Sequence, residues 1–537
     1  MFLLLVLAVL ALLYYLYIKP LWHWKSRDVL FENPIPVFGN MMKPTLKMEH
    51  ITTLIHRMYN NYKDSPYFGI LNFQNPILVL KDPKLIKRVM VKDFDVFSRH
   101  LAMADEKIDP LWSKNLFSIQ DVHKWRHLRA TLSPTFTANK LRMMFDLMQE
   151  CAKNFTKHYL EQEDEVFEVD IKDAFRRYAT DVIATTAFGI TCNSLKDRNN
   201  EFYIMGLDAS NFDGIRFLKF LLYSISPLLT KILRLGIFSK TVSNFFRKIV
   251  SDNIRMRKEQ NIIRPDMIHL LMEARKGKLK KEKSEPVDLE ADSFAAVDES
   301  EIIKKETDWQ MEITDEDITA QAMVFFLGGF DTTSSMMSFA IAELAVNPEI
   351  QQKLDKEISD VFENTGGKIK YEDINRMKYL DMIISETLRK WTLAILLDRQ
   401  AVKPYTIYHD NGKQPLKLNE GDVVWIPTYC IHRDPAYFPD PEKFDPERFS
   451  DERKHEIKPF TYLPFGAGPR NCIGSRFALL EAKIALFSIL IHFEVVPTKK
   501  TILPLKLNEK AVTLQLEGGF IFGLKKKKAN MGNYLIC

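Results

Sequence analysis

Between Gln321 and Leu344 the chain reads QAMVFFLGGFDTTSSMMSFAIAEL, an apolar run interrupted by one short polar knot. As a helix it is hydrophobic nearly all round, so it has no face to offer water and must be buried on every side. That demands a large, mainly helical body wrapped around one central helix. Thr314-x-x-Asp317, with acids at 315 to 317, has the spacing of a capping box and predicts where this helix starts. The 537 residues, 46% apolar, are ample for such a core and exclude global disorder. Gly328-Gly329 costs about 1 kcal/mol per residue relative to alanine, and Asp331-Thr332-Thr333 sets a carboxylate and hydroxyls in apolar surroundings. Local violations of this kind are kept mostly where function needs them. The residues alone leave two readings open, a satisfied polar kink and a functional site.

Charge and cysteine content exclude several classes. With 75 Lys and Arg against 70 Asp and Glu, a net +5 over this length gives no basis for nucleic-acid binding. Five widely spaced cysteines without a CxxC pair indicate neither a disulfide framework nor structural zinc. From Phe2 to Ile18 an uncharged run, FLLLVLAVLALLYYLYI, predicts a retained single membrane helix over residues 1–18, because no basic region precedes it and no small-x-small site follows it. Lys19, Lys25 and Arg27 then put the body on the cytoplasmic side, with Trp22 and Trp24 at the interface. Pro34 and Pro36 stiffen residues 19–40 into a connector. A β-hairpin is predicted over residues 68–80, turning at Asn75-Pro76, with further strands near 402–426 and 511–524. Residues 276–314, rich in charge, read as a linker or one long surface loop, and residues 525–528 as a solvated basic terminus.

The chemistry is concentrated at residues 464–476, PFGAGPRNCIGSR, followed at once by an apolar helical pattern. Cys472 therefore sits on a tight loop at a helix entrance, where unpaired N–H groups and the positive end of the helix dipole favour thiolate over thiol. Gly466, Gly468 and Gly474 let the backbone turn and approach a flat ligand, and Arg470 is a fixed cation two residues before the sulfur.

Phe465-x-x-Gly468-x-Arg470-x-Cys472-x-Gly474 resembles the haem-binding signature of the cytochromes P-450, and four further motifs agree with it in order over residues 30–525. The resemblance implies the cytochrome P-450 fold, mainly α with small β-sheets, with a haem-binding monooxygenase domain over residues 41–537. It implies Cys472 as the metal ligand through its thiolate, with Phe465 and Gly474 beside the cofactor. Gly328-Gly329-Phe330-Asp331-Thr332-Thr333 resembles the family's oxygen-activation motif, which gives Thr332 and Asp331 catalytic roles in hydrogen bonding and proton supply. Glu386-x-x-Arg389 with Arg448 resembles its Glu-Arg-Arg scaffold, and Trp125-x-x-x-Arg129 its propionate clamp. Arg129, Arg470 and Arg399 are the cations expected at the propionates, since guanidinium forks match carboxylates.

One stretch departs from the pattern: after the Glu-x-x-Arg helix the family usually has prolines, where this chain has residues 390–396, KWTLAIL. LSPTFT at 132–137 and FFLGGFDTTSS resemble microsomal enzymes of the clan that holds the vertebrate three-A forms and insect families six and nine, with family nine the best match. The implied activity is a haem-thiolate monooxygenase of the endoplasmic reticulum membrane, inserting one oxygen atom from O2 into lipophilic small molecules in xenobiotic detoxification. The implied cofactor is haem b. No GxGxxG dinucleotide fingerprint occurs, so the electrons of NADPH come through NADPH-cytochrome reductase, with cytochrome b5 as a second donor, over a basic face that includes Lys124, Arg126 and His127. The alternatives are a haem-thiolate isomerase or dehydratase, an endogenous hormone or lipid hydroxylase, and a non-catalytic haem or lipophile binder.

Overall fold

The computed structural model describes residues 2–264, 266–275, 293–296, 312–408 and 415–527. The predicted central helix is its axis. Thr314 caps it, its Oγ1 accepting the Asp317 N–H at 3.2 Å while Asp317 Oδ2 accepts the Thr314 N–H at 2.9 Å. The helix runs as α over Asp315–Leu327, widens to π over Gly328–Thr333, and returns to α over Ser334–Val346. Every residue from Ser334 to Ala345 is buried, as the all-round apolar pattern requires. The helices Ile171–Ile183, Lys240–Glu259, Lys378–Lys390 and Ser475–Leu490 pack around it. The widened turn coincides with the glycine pair and the polar knot, a common place for a π turn to mark function.

The strands are few and short. β1 (Tyr67–Asn72), β2 (Asn75–Leu80), β7 (Val423–Ile426) and β4 (Leu397–Gln400) form one sheet in the order β1-β2-β7-β4. β3 (Val166–Asp170), β9 (Ile521–Lys526) and β8 (Phe493–Val496) form a second, and β5 (Tyr405–Ile407) pairs with β6 (Leu416–Leu418). The hairpin is where it was expected, but its turn is Phe73-Gln74. Asn75 and Pro76 already pair with Asn72 and Leu71, and Phe73 takes the left-handed conformation at φ +57°. Pro76 is tolerated because it lies at the strand's start.

Three further expectations are corrected. The run from Phe2 to Ile18 is helical but not one helix: the α-helix Phe2–Leu13 ends after 12 residues, a π turn covers Tyr14–Ile18, and a 3-10 turn, Lys19–Trp22, contains Pro20. Twelve residues span about 18 Å of a roughly 30 Å hydrocarbon layer, and proline blocks simple continuation. No helix among the described residues is long and apolar enough to cross a membrane. Trp24, expected at a membrane interface, is instead buried against the first sheet, its Nε1–H donating to the Ile70 carbonyl at 2.8 Å. A Cβ on Gly69 would meet its ring at 2.5 Å, so the body begins inside the predicted connector. Lys525 to Lys527 are solvated, as expected, but not a loose terminus: Lys525 pairs with Glu494 at 2.9 Å from within β9, and Lys527 with Asp355 at 2.8 Å. Lys528, Cys537 and most of residues 276–314 lie outside the described residues.

Candidate active site

The loop from Phe465 to Gly474 is shaped by its glycines. Gly466 and Gly468 take φ of +74° and +69°, and a Cβ on Gly468 would lie 2.0 Å from the Met90 carbonyl oxygen. Gly474 has φ −96° and only Phe136 within reach, at 3.8 Å, so no contact with the chain itself demands glycine there. The Cys472 N–H closes the loop onto the Phe465 carbonyl at 2.9 Å. Cys472 is thereby exposed between buried Asn471 and Ile473, just ahead of the helix that starts at Ser475. Among the described cysteines Cys472 is the exposed one, whereas burial pushes the thiols of Cys151, Cys192 and Cys430 up.

Cations gather around this loop. Arg129, on the helix Val122–Leu132, donates to the Asn471 carbonyl at 2.9 Å and to its Oδ1 at 2.6 Å, bolting that helix to the residue before Cys472. Arg470 lies over the buried Trp125 ring at 4.3 Å. Its guanidinium, expected at a propionate, reaches the carbonyls of Ser98, Leu116, Phe117 and Ile119 at 3.1 to 3.3 Å, because a desolvated cation must find acceptors. Arg399, in β4, is 1% exposed; its Nη1 donates to the Asp398 carbonyl at 2.7 Å and its Nε has no hydrogen-bond partner. Burial pulls Arg399 down to about 10 against the opposing pull of Asp398. Asp398 is engaged by His100 Nδ1 at 2.8 Å and by the Leu101 N–H at 2.6 Å.

Burial and the charges of Arg399, Arg129 and Arg99 push Arg470 well down, with Asp398 opposing. Four guanidiniums thus crowd one carboxylate, and the Nε of Arg99 is also without a partner. A surplus of this kind, beside an exposed thiol on a glycine cradle, fits a flat group that carries two carboxylates and takes a sulfur ligand. Haem meets that description.

Across from the loop, the π segment packs against the helix that follows Cys472. Its two glycines differ in use. A Cβ on Gly329 would lie 2.6 Å from Ile183 Cδ1, so this glycine serves close helix packing, whereas Gly328 has nothing within 4 Å. Thr332 is exposed on the Gly328 side, its hydroxyl bonding back to the Gly328 carbonyl, while Thr333 is buried with its hydroxyl unpaired. Phe326 and Phe330 are core, stacked at 5.5 Å and fully buried, and only Phe325 is partly open, against Phe136.

Beneath the site, buried Glu386 holds buried Arg389 through two bonds of 2.6 and 2.8 Å, faces buried Arg448 at 3.5 Å and takes the Asp445 N–H at 2.8 Å. The expected interlock is therefore assembled. The cytochrome P450 family model matches residues 30–522. The chain belongs to the cytochrome P450 family. Membership supports a haem-thiolate monooxygenase. The chain is 43% identical to cytochrome P450 9e2 of Blattella germanica over 94% of both chains, and 41% to probable cytochrome P450 9f2 of Drosophila melanogaster over 93% of both. It is 37% identical to cytochrome P450 6k1 of Blattella germanica over 98% of both.

In this P450 the missing prolines are replaced by a different stop. Trp391 stacks on Phe339 of the central helix at 4.6 Å, its Nε1–H donates to Glu343 at 2.7 Å, and Lys390 pairs with the same carboxylate at 2.8 Å. Thr392 bonds back to the Leu388 and Arg389 carbonyls and meets His432 Nδ1 at 2.7 Å, which ends the helix and sets the path to β4. Sequence reasoning missed the partners of Asp331. Arg176 grips its Oδ1 at 2.7 Å, and Lys172 Nζ lies 3.3 Å from that oxygen and 2.9 Å from the Asp331 carbonyl. Burial raises the Asp331 carboxyl, but the two cations outweigh it and hold it below the usual range; burial pulls Lys172 down to about 8, opposed by Asp331. The cations at 172 and 176 share one face of their helix by spacing, yet nothing in sequence links that face to an acid so far along the chain.

Proposed function

We propose that this P450 inserts one oxygen atom from O2 into lipophilic small molecules, chiefly foreign compounds, with NADPH electrons delivered by NADPH-cytochrome reductase and cytochrome b5. One observation carries the reading: an exposed Cys472 on a glycine loop, next to Arg470 and to the Arg129 that binds Asn471, directly precedes a helix packed against the π turn that presents Thr332. Haem supplies the oxygen-activating chemistry; Cys472 would ligate its iron, Arg399, Arg129 and Arg470 would face its propionates, and Phe465, Gly474 and Trp125 would flank it.

The chain's own part is to position and to move protons. The Thr332 hydroxyl donates to the Gly328 carbonyl and keeps its lone pairs free to accept, so it can stand as a relay at the open side of the helix. Asp331, next in the chain, holds a negative charge between Arg176 and Lys172, and the Lys172 ammonium is a proton source at neutral pH. Lipophilic substrates are supported by the partly buried side chains around the π turn and the 391–396 path, Phe325, Leu327, Leu393 and Ile395, all apolar.

An endoplasmic reticulum location, with the body on the cytosolic side, is supported by exposed apolar side chains. These are Phe2 to Leu5 at the N-terminus and Ile215, Leu218, Leu228 and Ile232 on the helices Ile215–Ile225 and Pro227–Ile232.

The test is spectral. Reduced protein under carbon monoxide should give the strongly red-shifted Soret band of thiolate-bound haem, and Cys472→His should convert it to the imidazole type. A Cys472→His protein that keeps the thiolate band would place the ligand elsewhere. Conversion of a peroxide without NADPH or reductase would favour an isomerase.

A further inference from the structure

His432 is wholly buried, yet both of its ring nitrogens are engaged. The Leu463 N–H donates to Nε2 at 2.7 Å, and Nδ1 lies 2.7 Å from the Thr392 hydroxyl oxygen. A backbone N–H can only donate, so Nε2 supplies the lone pair, and in a neutral ring Nδ1 then carries the proton. Thr392 agrees with that assignment. Its own hydroxyl faces the Leu388 and Arg389 carbonyls at 3.1 and 2.9 Å, which leaves a lone pair for the Nδ1–H. Donation therefore runs one way, from Leu463 through His432 and Thr392 to the end of a helix. Burial, with the charges of Arg389 and Arg433 beside it, pulls the imidazole down to about 3, so the ring is neutral.

Both ends of this chain of bonds belong to the site. One end is the helix Lys378–Lys390 with its buried Glu386–Arg389 pair, and Arg389 also donates to the His432 carbonyl at 2.9 Å. The other end is the entrance to the thiol loop. The Leu463 carbonyl takes the Gly466 N–H at 3.1 Å, and Phe465, two residues on, takes the Cys472 N–H. Pro464 between them has no N–H to add a tie of its own. Thr392 lies in the stretch where the family usually has prolines. Proline has no hydroxyl and could not receive the Nδ1–H, so this link is a consequence of the departure.

We propose that Thr392 and His432 are positioning residues for the iron ligand: Thr392 selects the Nδ1–H tautomer, and the Nε2 thus left free anchors the start of the Cys472 loop on the Glu386–Arg389 scaffold. The proposal rests on the reading of Cys472 as the haem ligand. Without the Thr392 hydroxyl, the Nδ1–H is buried with no acceptor. Moving that proton to Nε2 instead aims two donors at each other at Leu463. Either way the loop loses its anchor.

The experiment uses the full-length holoenzyme with Thr392→Val, which keeps the shape and removes the hydroxyl, and Thr392→Ser, which keeps the hydroxyl. Hydrogen exchange of the peptide containing Leu463 should rise about tenfold in Thr392→Val, since a buried donor left unpaired costs about that factor or more, and return to the wild-type rate in Thr392→Ser. The peptide containing Val79, in the first sheet, should exchange as in wild type in both. The ferric–ferrous midpoint potential should rise in Thr392→Val, because a loosened thiolate donates less to iron, and the thiolate band under carbon monoxide should decay several-fold faster on mild heating. Thr392→Ser should restore both. Unchanged exchange at Leu463 overturns the anchor, as does an equal rise at Val79, which would mean general loosening. Faster exchange at Leu463 with an unchanged potential and band overturns the positioning of Cys472. A Thr392→Ser protein that behaves like Thr392→Val overturns the role of the hydroxyl. Absence of the thiolate band in the wild type would sink the haem-thiolate reading itself, while exchange, which needs no haem signal, still decides the anchor.

Discussion

At Thr332 a single hydroxyl is exposed on a helix whose next turn is wholly buried, and it already has a carbonyl partner at Gly328. Thr332→Val keeps the volume and removes the relay. NADPH consumption should persist while product per NADPH falls about tenfold, with peroxide as the balance. Equal product yield in the variant would remove Thr332 from proton handling. Lys172 sets a pH dependence on the same chemistry. Burial pulls its pKa from the ordinary 10.5 down to about 8 in the fold, with Asp331 opposing. Below that value the ammonium pairs with Asp331 and offers it a proton; above it the amine is neutral. Product per NADPH should therefore fall as pH rises through about 8, and Lys172→Met should abolish that inflection while leaving the carbon monoxide spectrum unchanged. The effect on stability has the opposite sense: below about 8 the buried ammonium weighs against the fold, and that penalty is relieved as pH rises from about 8 towards the ordinary 10.5, where only the unfolded chain still holds the proton.

Among the elements, the thiol loop and the scaffold are the least tolerant. Gly468 is left-handed and its missing Cβ faces a backbone oxygen, which cannot move aside as a side chain could. Gly468→Ala should cost about 1–3 kcal/mol from the backbone conformation alone, with the clash added. Lower haem content at equal expression and a lower unfolding temperature would show it. Glu386→Gln leaves Arg389 and Arg448 buried without their counter-charge, about 3–5 kcal/mol if that buried pair behaves as others do. Undiminished thermal stability would argue against a structural role for the interlock. These elements were legible because their signals are local: glycines around one cysteine, a capping box, an apolar run of helical length. The turn at Phe73-Gln74, the burial of Trp24, the carbonyl partners of Arg470 and the Trp391 stop were not. Each depends on a partner far along the chain that no local pattern names. Two consecutive glycines looked alike in sequence, and only packing showed that one accommodates Ile183 and the other faces open space.

For the whole molecule the question is where electrons enter. The helix Val122–Leu132 is bonded through Arg129 to the residue before Cys472, so its outer face looks out on the thiol side. Of the cations expected there, Arg126 is tied to Asp95 at 2.5 Å, which compensates its charge. Lys124 is therefore the sharper probe: its backbone N–H serves the Asp121 cap at 3.1 Å, and its side chain projects from the first turn. An acidic donor steered by this face should reduce the haem more slowly as ionic strength rises, because exposed charges are screened over about 8 Å at physiological salt. Lys124→Glu should slow reductase-driven reduction several-fold at low salt and little at high salt, while substrate binding and the carbon monoxide band stay as in wild type. Arg126→Glu should act in the same direction, by reversing the charge that Asp95 compensates. If neither reversal changes the rate and wild-type reduction is insensitive to salt, the donor docks elsewhere and these cations are ordinary surface residues.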